Sequence, residues 1–146
     1  LNMLQIRFYD SVKDDLLKFA VMIAKYRGKW VFCKHKDRDT YECPGGHRER
    51  DESIWETAKR ELYEETGATD FDLTPICLYS VTDEENFDGK ETFGMLYFAE
   101  IRTFEETLHW EIEKILLTEQ LIKNWTYPQI QPTLIAEAQR RGFCEE

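Results

Sequence analysis

With 146 residues, 42% of them hydrophobic, and four tryptophans, the chain has the length and apolar content of a folded domain rather than a disordered tail. Its 29 acidic and 19 basic residues leave a formal net charge of −10, which excludes a surface that grips long nucleic acid by releasing counterions. A small phosphorylated ligand is compatible with that charge if a local cation meets it.

In chain order, the apolar run Lys18 to Tyr26 reads as a strand, Arg27-Gly28 as a tight turn, and Trp30 to Lys34 as the returning partner. A basic stretch, Lys34-His35-Lys36-Asp37-Arg38, leads to a short extended piece from Tyr41 to Cys43. Pro44-Gly45-Gly46 then breaks regular structure. The best-marked element follows. Ser53 is a good N-cap, Glu56 sits three residues on to complete a capping box, and Gly67 is the C-terminal stop, so a helix is predicted over Ile54 to Thr66.

Beyond it, Leu73 to Thr82 and Thr92 to Ile101 are predicted strands on either side of an acidic loop, Asp83 to Lys90. The second is almost continuously apolar, as a strand covered on both faces would be. Glu111 to Leu117 is a further strand candidate and Thr118 to Lys123 a short helix candidate. Pro132 suits a first helical turn, with Leu134, Ile135 and Ala138 as the apolar stripe of a last helix. Helices packed around a sheet make the expected class α+β, in one domain over 1–146 without repeats or linkers.

Cys33, Cys43, Cys77 and Cys144 are scattered and form no CxxC pair. Neither a zinc site nor a disulfide framework is expected, and free thiols in a cytoplasmic location are the simple account. The apolar run 19–24 is too short to span a bilayer, and no secretory leader is expected before it.

The predicted helix poses a chemical problem. At about 100° per residue, Ile54, Ala58 and Leu62 form one buried stripe, and Glu61 and Glu65 fall within or beside it, with Glu64 off its edge. Acids four apart repel, the helix C-terminus adds its own negative field, and partial burial makes each bare charge costlier. A divalent cation relieves all three, and carboxylates are the hard ligands Mg²⁺ or Mn²⁺ prefers. The plainer reading is a solvated face whose acids pair with Lys59 and Arg60, with Glu56 and Arg60 a favourable i, i+4 pair. The wheel alone leaves both readings open.

The spacing resolves it. Gly46, five residues, Glu52, seven residues, then Arg60-Glu61-Leu62-Tyr63-Glu64-Glu65-Thr66-Gly67-Ala68 resembles the Nudix box with every fixed position filled, and Pro44-Gly45 matches the run into it. The resemblance spans residues 46–68 and implies an α/β/α sandwich and a hydrolase that cleaves a diphosphate bond in a nucleotide derivative. Carried over by position, Glu61, Glu64 and Glu65 correspond to metal-binding carboxylates, joined in the family by a Gly45 or Gly46 carbonyl. Arg60 corresponds to the arginine that orients these acids, with Glu52 its partner. Glu61 is the implied base, Glu111 the leading candidate for a further acid from beyond the box, and Glu113 the next.

For the substrate, Lys36 and Arg38 are the expected phosphate contacts, from the compact basic cluster that also holds Lys34 and His35; a solvated turn is the competing reading. Tyr79, Phe87, Trp110, Trp125 and Tyr127 are candidate platforms for a base. The run HKDRDTYECPGG resembles compact bacterial Nudix enzymes acting on nucleoside triphosphates, oxidised ones included, which implies a monophosphate and pyrophosphate as products. Nucleotide-sugar, dinucleotide or capped-RNA substrates are the alternatives, and a non-catalytic nucleotide sensor on the same fold is a reading of a different class. The sequence leaves a homodimer open.

Overall fold

The computed structural model describes residues 4–83, 89–107 and 112–144. A seven-stranded mixed sheet forms the middle layer, built from β1 (Gln5–Tyr9), β2 (Leu17–Tyr26), β3 (Lys29–His35), β4 (Gly45–His47), β5 (Ala68–Thr82), β6 (Glu91–Phe104) and β7 (Ile112–Thr118). Two helices, α1 (Ile54–Thr66) and α2 (Gln131–Arg140), make the outer layers. The strand order is β1-β5-β6-β2-β3-β7, and the single parallel pairing among these, β2 with β6, lies at its centre.

Side-chain alternation on β2 assigns one helix to each face. Ala20, Met22 and Ala24 pack with Ala58 and Leu62 of α1, while Ile23 packs with Leu134, Ile135 and Ala138 of α2. The expected sandwich follows from this two-sided burial. Helix α1 has the predicted bounds. Ser53 Oγ accepts from the Glu56 amide at 3.0 Å, Glu56 Oε1 accepts from the Ser53 amide at 2.8 Å, and Gly67 closes the end in the left-handed region at φ 78°. Arg27 (φ 49°) and Gly28 (φ 80°) make the predicted turn between β2 and β3.

Four local features depart from expectation. Strand β1 lies in a stretch given no element, and pairs along the edge of β5. Strand β5 begins five residues before Leu73, because Arg102 on β6 reaches across to Asp70 at 2.8 Å and Asp72 at 2.6 Å and neutralises acids that read as loop. The glycines after Pro44 form β4 instead of merely breaking structure; a Cβ on Gly45 would stand 2.5 Å from the Ala20 carbonyl oxygen, so only glycine lets this strand close on β2. The helix expected over Thr118 to Lys123 is absent. Thr118 Oγ1 accepts from the Gln120 amide at 3.2 Å, a local turn that competes with helix, and Asn124 O accepts from the Tyr41 amide at 3.0 Å.

One topological detail makes room for a site. On its edge away from β6, β2 pairs with β3 only through residues 24–26, and with β4 through residues 19–21. Between them the Met22 amide donates to Pro44 O at 2.9 Å. The end of β3 thus parts from β2, and the last turns of α1 lie under the opening. Because the capping box anchors the start of that helix, Ser53→Ala is expected to lower stability by about 1 kcal/mol, read by chemical denaturation.

Candidate active site

Arg60 organises the acids. Its Nε lies 2.6 Å from Glu52 Oε2, its Nη2 3.0 Å from Glu52 Oε1 and 2.9 Å from the His47 carbonyl oxygen, and its Nη1 is shared between Glu61 Oε2 and Glu64 Oε1, each at 3.1 Å. Glu52 is fixed from behind by Thr57 Oγ1 at 2.7 Å and the Glu49 amide at 3.0 Å. The Arg60 guanidinium holds the Glu52 carboxyl down at about 2. Glu52 and Arg60 therefore form a permanently charged brace.

Glu65 is buried, and its Oε1 accepts from the Gly45 amide at 2.9 Å. Glu61 packs against Gly46, where a Cβ would fall 2.1 Å from Glu61 Oε2, so a side chain there would displace the Glu61 carboxylate. Burial, followed by the neighbouring charge of Glu65, pushes the Glu61 carboxyl up to about 7, with Arg60 pulling the other way. Glu61 and Glu64 share one nitrogen of Arg60, and Glu65 lies near enough for its charge to act on Glu61. Hard oxygen donors and a raised carboxyl suit a divalent cation, and Glu61, Glu64 and Glu65 are the residues that could hold one.

These side chains border a cleft of about 740 Å³. Its lining includes Gly45, Gly46, Arg60, Glu61, Glu64 and Glu65 together with Tyr79, Val81, Tyr127, Ile130, Gln131 and Leu134. Of the two expected phosphate contacts, Arg38 lines the cleft, with Nη1 2.8 Å from Glu42 Oε1 and its guanidinium 5.9 Å from the Tyr127 ring centre. Lys36 is exposed and outside that lining. Among the base platforms, Tyr79 and Tyr127 border the cleft, whereas Trp125 packs edge-on against Phe32 at 5.3 Å. Phe87, Trp110 and Glu111 lie outside the described residues. Glu113 pairs with Lys34 at 2.7 Å on the surface.

Three neighbours of the acids escaped sequence reasoning. His35 Nε2 approaches Glu65 Oε2 at 3.1 Å and Glu42 Oε2 at 3.5 Å, close enough for an ion pair yet without the alignment of a hydrogen bond. The Glu65 carboxylate holds the imidazolium above its ordinary range in spite of burial. Glu42 and Cys33 are buried beside it. Glu42 was the available signal, an acid between aromatic and thiol in a piece read as extended. Gln131 is the other omission; its Oε1 accepts from the Cys43 amide at 2.7 Å.

The NUDIX domain model matches residues 16–138, and the chain belongs to that family. It is a Nudix pyrophosphohydrolase by fold and site, similar in sequence to the Bacillus subtilis (strain 168) protein named "Putative 8-oxo-dGTP diphosphatase YtkD", with 35% identity over 124 residues, 84% of this chain and 75% of the relative. The crystal structure of the Bacillus subtilis pyrophosphohydrolase BsRppH superposes with a TM-score of 0.79 at 29% identity, covering 99% of this chain and 94% of that one. A NUDIX hydrolase from Nitrosomonas europaea shares the fold at a TM-score of 0.67 and 18% identity, covering 85% and 89% of the two chains. No helix among the described residues is long and apolar enough to cross a membrane.

The raised carboxyl sets a pH dependence. Between the ordinary glutamate value of 4.5 and about 7, folded Glu61 keeps a proton that the unfolded chain has lost, so stability falls as pH rises through that window. His35, raised above 6.5, loses its contribution in the same direction at the upper end. The thermal midpoint of metal-free protein is expected to drop from pH 5 to pH 7.5, and Glu61→Gln to flatten that slope, as scanning calorimetry at stepped pH would register.

Proposed function

We propose that the chain hydrolyses a nucleoside triphosphate carrying a keto base, guanine or its oxidised form first, to the monophosphate and pyrophosphate. The observation that carries this reading is the joining, in one cleft, of the braced acids of α1 to an apolar lining that includes Gln131. The relative named for 8-oxo-dGTP supports it. A nucleotide substrate and four free thiols suit a cytoplasmic location.

Water attacks phosphorus, the bridging oxygen between the first and second phosphoryl groups departs with pyrophosphate, and the water's proton goes to a carboxylate. When bound by Glu61, Glu64 and Glu65, Mg²⁺ or Mn²⁺ supplies relief of phosphoryl charge and a more acidic water. Glu61 is our assignment for the base. Its Oε2 is held by Arg60, which leaves Oε1 to take the proton. Arg38, which lines the same cleft and is tethered by Glu42, is our assignment for a phosphate contact. Lys36, exposed beyond the lining, joins only as a general cation near the entrance.

Base choice follows from an amide whose orientation is set by its partner. The Cys43 N–H can only donate, so it fixes the Gln131 carbonyl oxygen on that side and leaves the NH₂ as a donor on a residue lining the cleft. A donor there suits the keto oxygen of guanine, uracil or thymine and opposes the amino groups of adenine and cytosine. Leaving one such group unpaired costs about 1–3 kcal/mol, roughly fivefold to 150-fold in kcat/KM.

Three outcomes follow. Glu64→Gln or Glu65→Gln is expected to lower turnover by orders of magnitude with the thermal midpoint near wild type; full activity in both would remove the metal assignment. In a Mg²⁺ panel of GTP, 8-oxo-dGTP, UTP, ATP, CTP, a nucleotide sugar, a dinucleoside polyphosphate and capped RNA, keto-base triphosphates should show the highest kcat/KM. Gln131→Glu keeps the Cys43 bond, replaces the donor by an acceptor, and should shift preference toward ATP and CTP. Higher kcat/KM on the sugar, dinucleotide or capped substrate would overturn the triphosphate reading.

A further inference from the structure

The same opening between β3 and β4 that admits the acids of α1 also brings together donors of a different chemistry. Residues 33 and 35 point to one face of β3 because strand side chains alternate, and that face meets Glu65 where β3 leaves β2. Cys33 Sγ, His35 Nε2 and a Glu65 oxygen all lie within 4.8 Å of one another. Sγ is 3.8 Å from Glu65 Oε1, and Nε2 is 3.1 Å from Glu65 Oε2. We propose that Cys33, His35 and Glu65 form a binding site for a soft divalent cation of the Zn²⁺ class, which shares Glu65 with the hard-ion site and so competes with it.

The geometry supports this directly. Tetrahedral zinc with sulfur at about 2.3 Å and nitrogen or oxygen at about 2.0 Å places its ligands roughly 3.3–3.5 Å apart, and the thiol and the imidazole each lie within about half an ångström of that from one of the two Glu65 oxygens. His35 Nε2 is enclosed and directed at Glu65 Oε2, so the ring nitrogen already faces the cluster. Glu42 Oε2, 3.5 Å from the same nitrogen, is the nearest further donor. A thiol, an imidazole and a carboxylate select Zn²⁺ or Co²⁺ over Mg²⁺, whose preference is for oxygen alone. The site has no CxxC signature because its ligands come from a C-x-H strand pair and a distant helix, which is why the cysteine spacing excluded it. As the metal binds, the Cys33 thiol proton and the His35 Nε2 proton that faces Glu65 both leave to solvent, and no other reactant is needed.

Cobalt makes the test spectroscopic. Metal-stripped protein is titrated with Co²⁺ in the presence of excess Mg²⁺. A near-ultraviolet thiolate-to-cobalt band should grow to one equivalent and be bleached by Zn²⁺. Cys33→Ser should abolish the band with the other three cysteines in place, and His35→Gln should weaken Co²⁺ affinity at least tenfold. A wild-type protein without the band, or a band that survives Cys33→Ser, overturns the proposal. Should Cys33→Ser fail to fold, by circular dichroism, His35→Gln decides alone, and unchanged affinity there overturns it. The competition rests on the functional reading above. Zn²⁺ should inhibit the Mg²⁺-supported hydrolysis of wild type at concentrations at least tenfold below those needed in the His35 variant. Binding with no hydrolysis at all would defeat that reading and leave the site standing.

Discussion

The repulsion between Glu61 and Glu65, one helical turn apart at the negative end of α1, is the constraint around which the rest of the structure is arranged. Burial removes the water that would otherwise screen them, so each neighbour acts on the same problem from a different side. Arg60 takes Glu61 and Glu64 on one nitrogen and is itself pinned by Glu52. The Gly45 amide takes Glu65, and His35 approaches it from β3. These devices reduce the conflict without ending it, since Glu61 still holds its proton to about 7. A site left short of charge balance in this way favours a cation, and the stability forgone is what gives the cation its affinity.

The sheet creates this place by a shortage of pairing. If β3 had followed β2 for its whole length, residues 33 and 35 would sit over the sheet and the acids of α1 would face a closed surface. Instead β4 occupies the other half of that edge, and both its glycines are there for contact reasons: Gly45 against the Ala20 carbonyl oxygen, Gly46 against the Glu61 carboxylate. The two residues that the box places ahead of the helix are therefore coupled to it through space. Substituting either moves the acids as well as the strand.

How much of this could be read from the chain depended on whether the cause was local. Helix α1 was legible to the residue because its cap, its box and its stop are all encoded within 15 positions, and the turn at Arg27-Gly28 likewise. Strand β5 was only half legible, since the reason Asp70 and Asp72 tolerate a strand is an arginine some thirty residues away. The helix expected after β7 gives way to a local turn at Thr118 and to the segment just past it, where Asn124 and Thr126 pair with Tyr41. At the site, the acids and their brace were legible from spacing. Cys33, His35, Glu42 and Gln131 were not, because each matters only through a partner that the fold brings to it.

That division extends to what the cleft can discriminate. Under the proposed function, the acids and Arg60 address features common to all nucleotides, and they sit on a helix with encoded ends. The groups that face the variable part of a substrate hang from β3, the 38–43 segment and the first turn of α2, which meet only in the folded chain. Gln131 illustrates the consequence. Its hydrogen-bonding sense is dictated by a backbone amide 88 positions away, so the identity of residue 43 is nearly irrelevant to it while the path of the chain through residue 43 is decisive. Selectivity of this kind changes when a loop shifts, even if every side chain in the cleft is retained. The diphosphate chemistry, fixed within one helix and its two preceding glycines, does not.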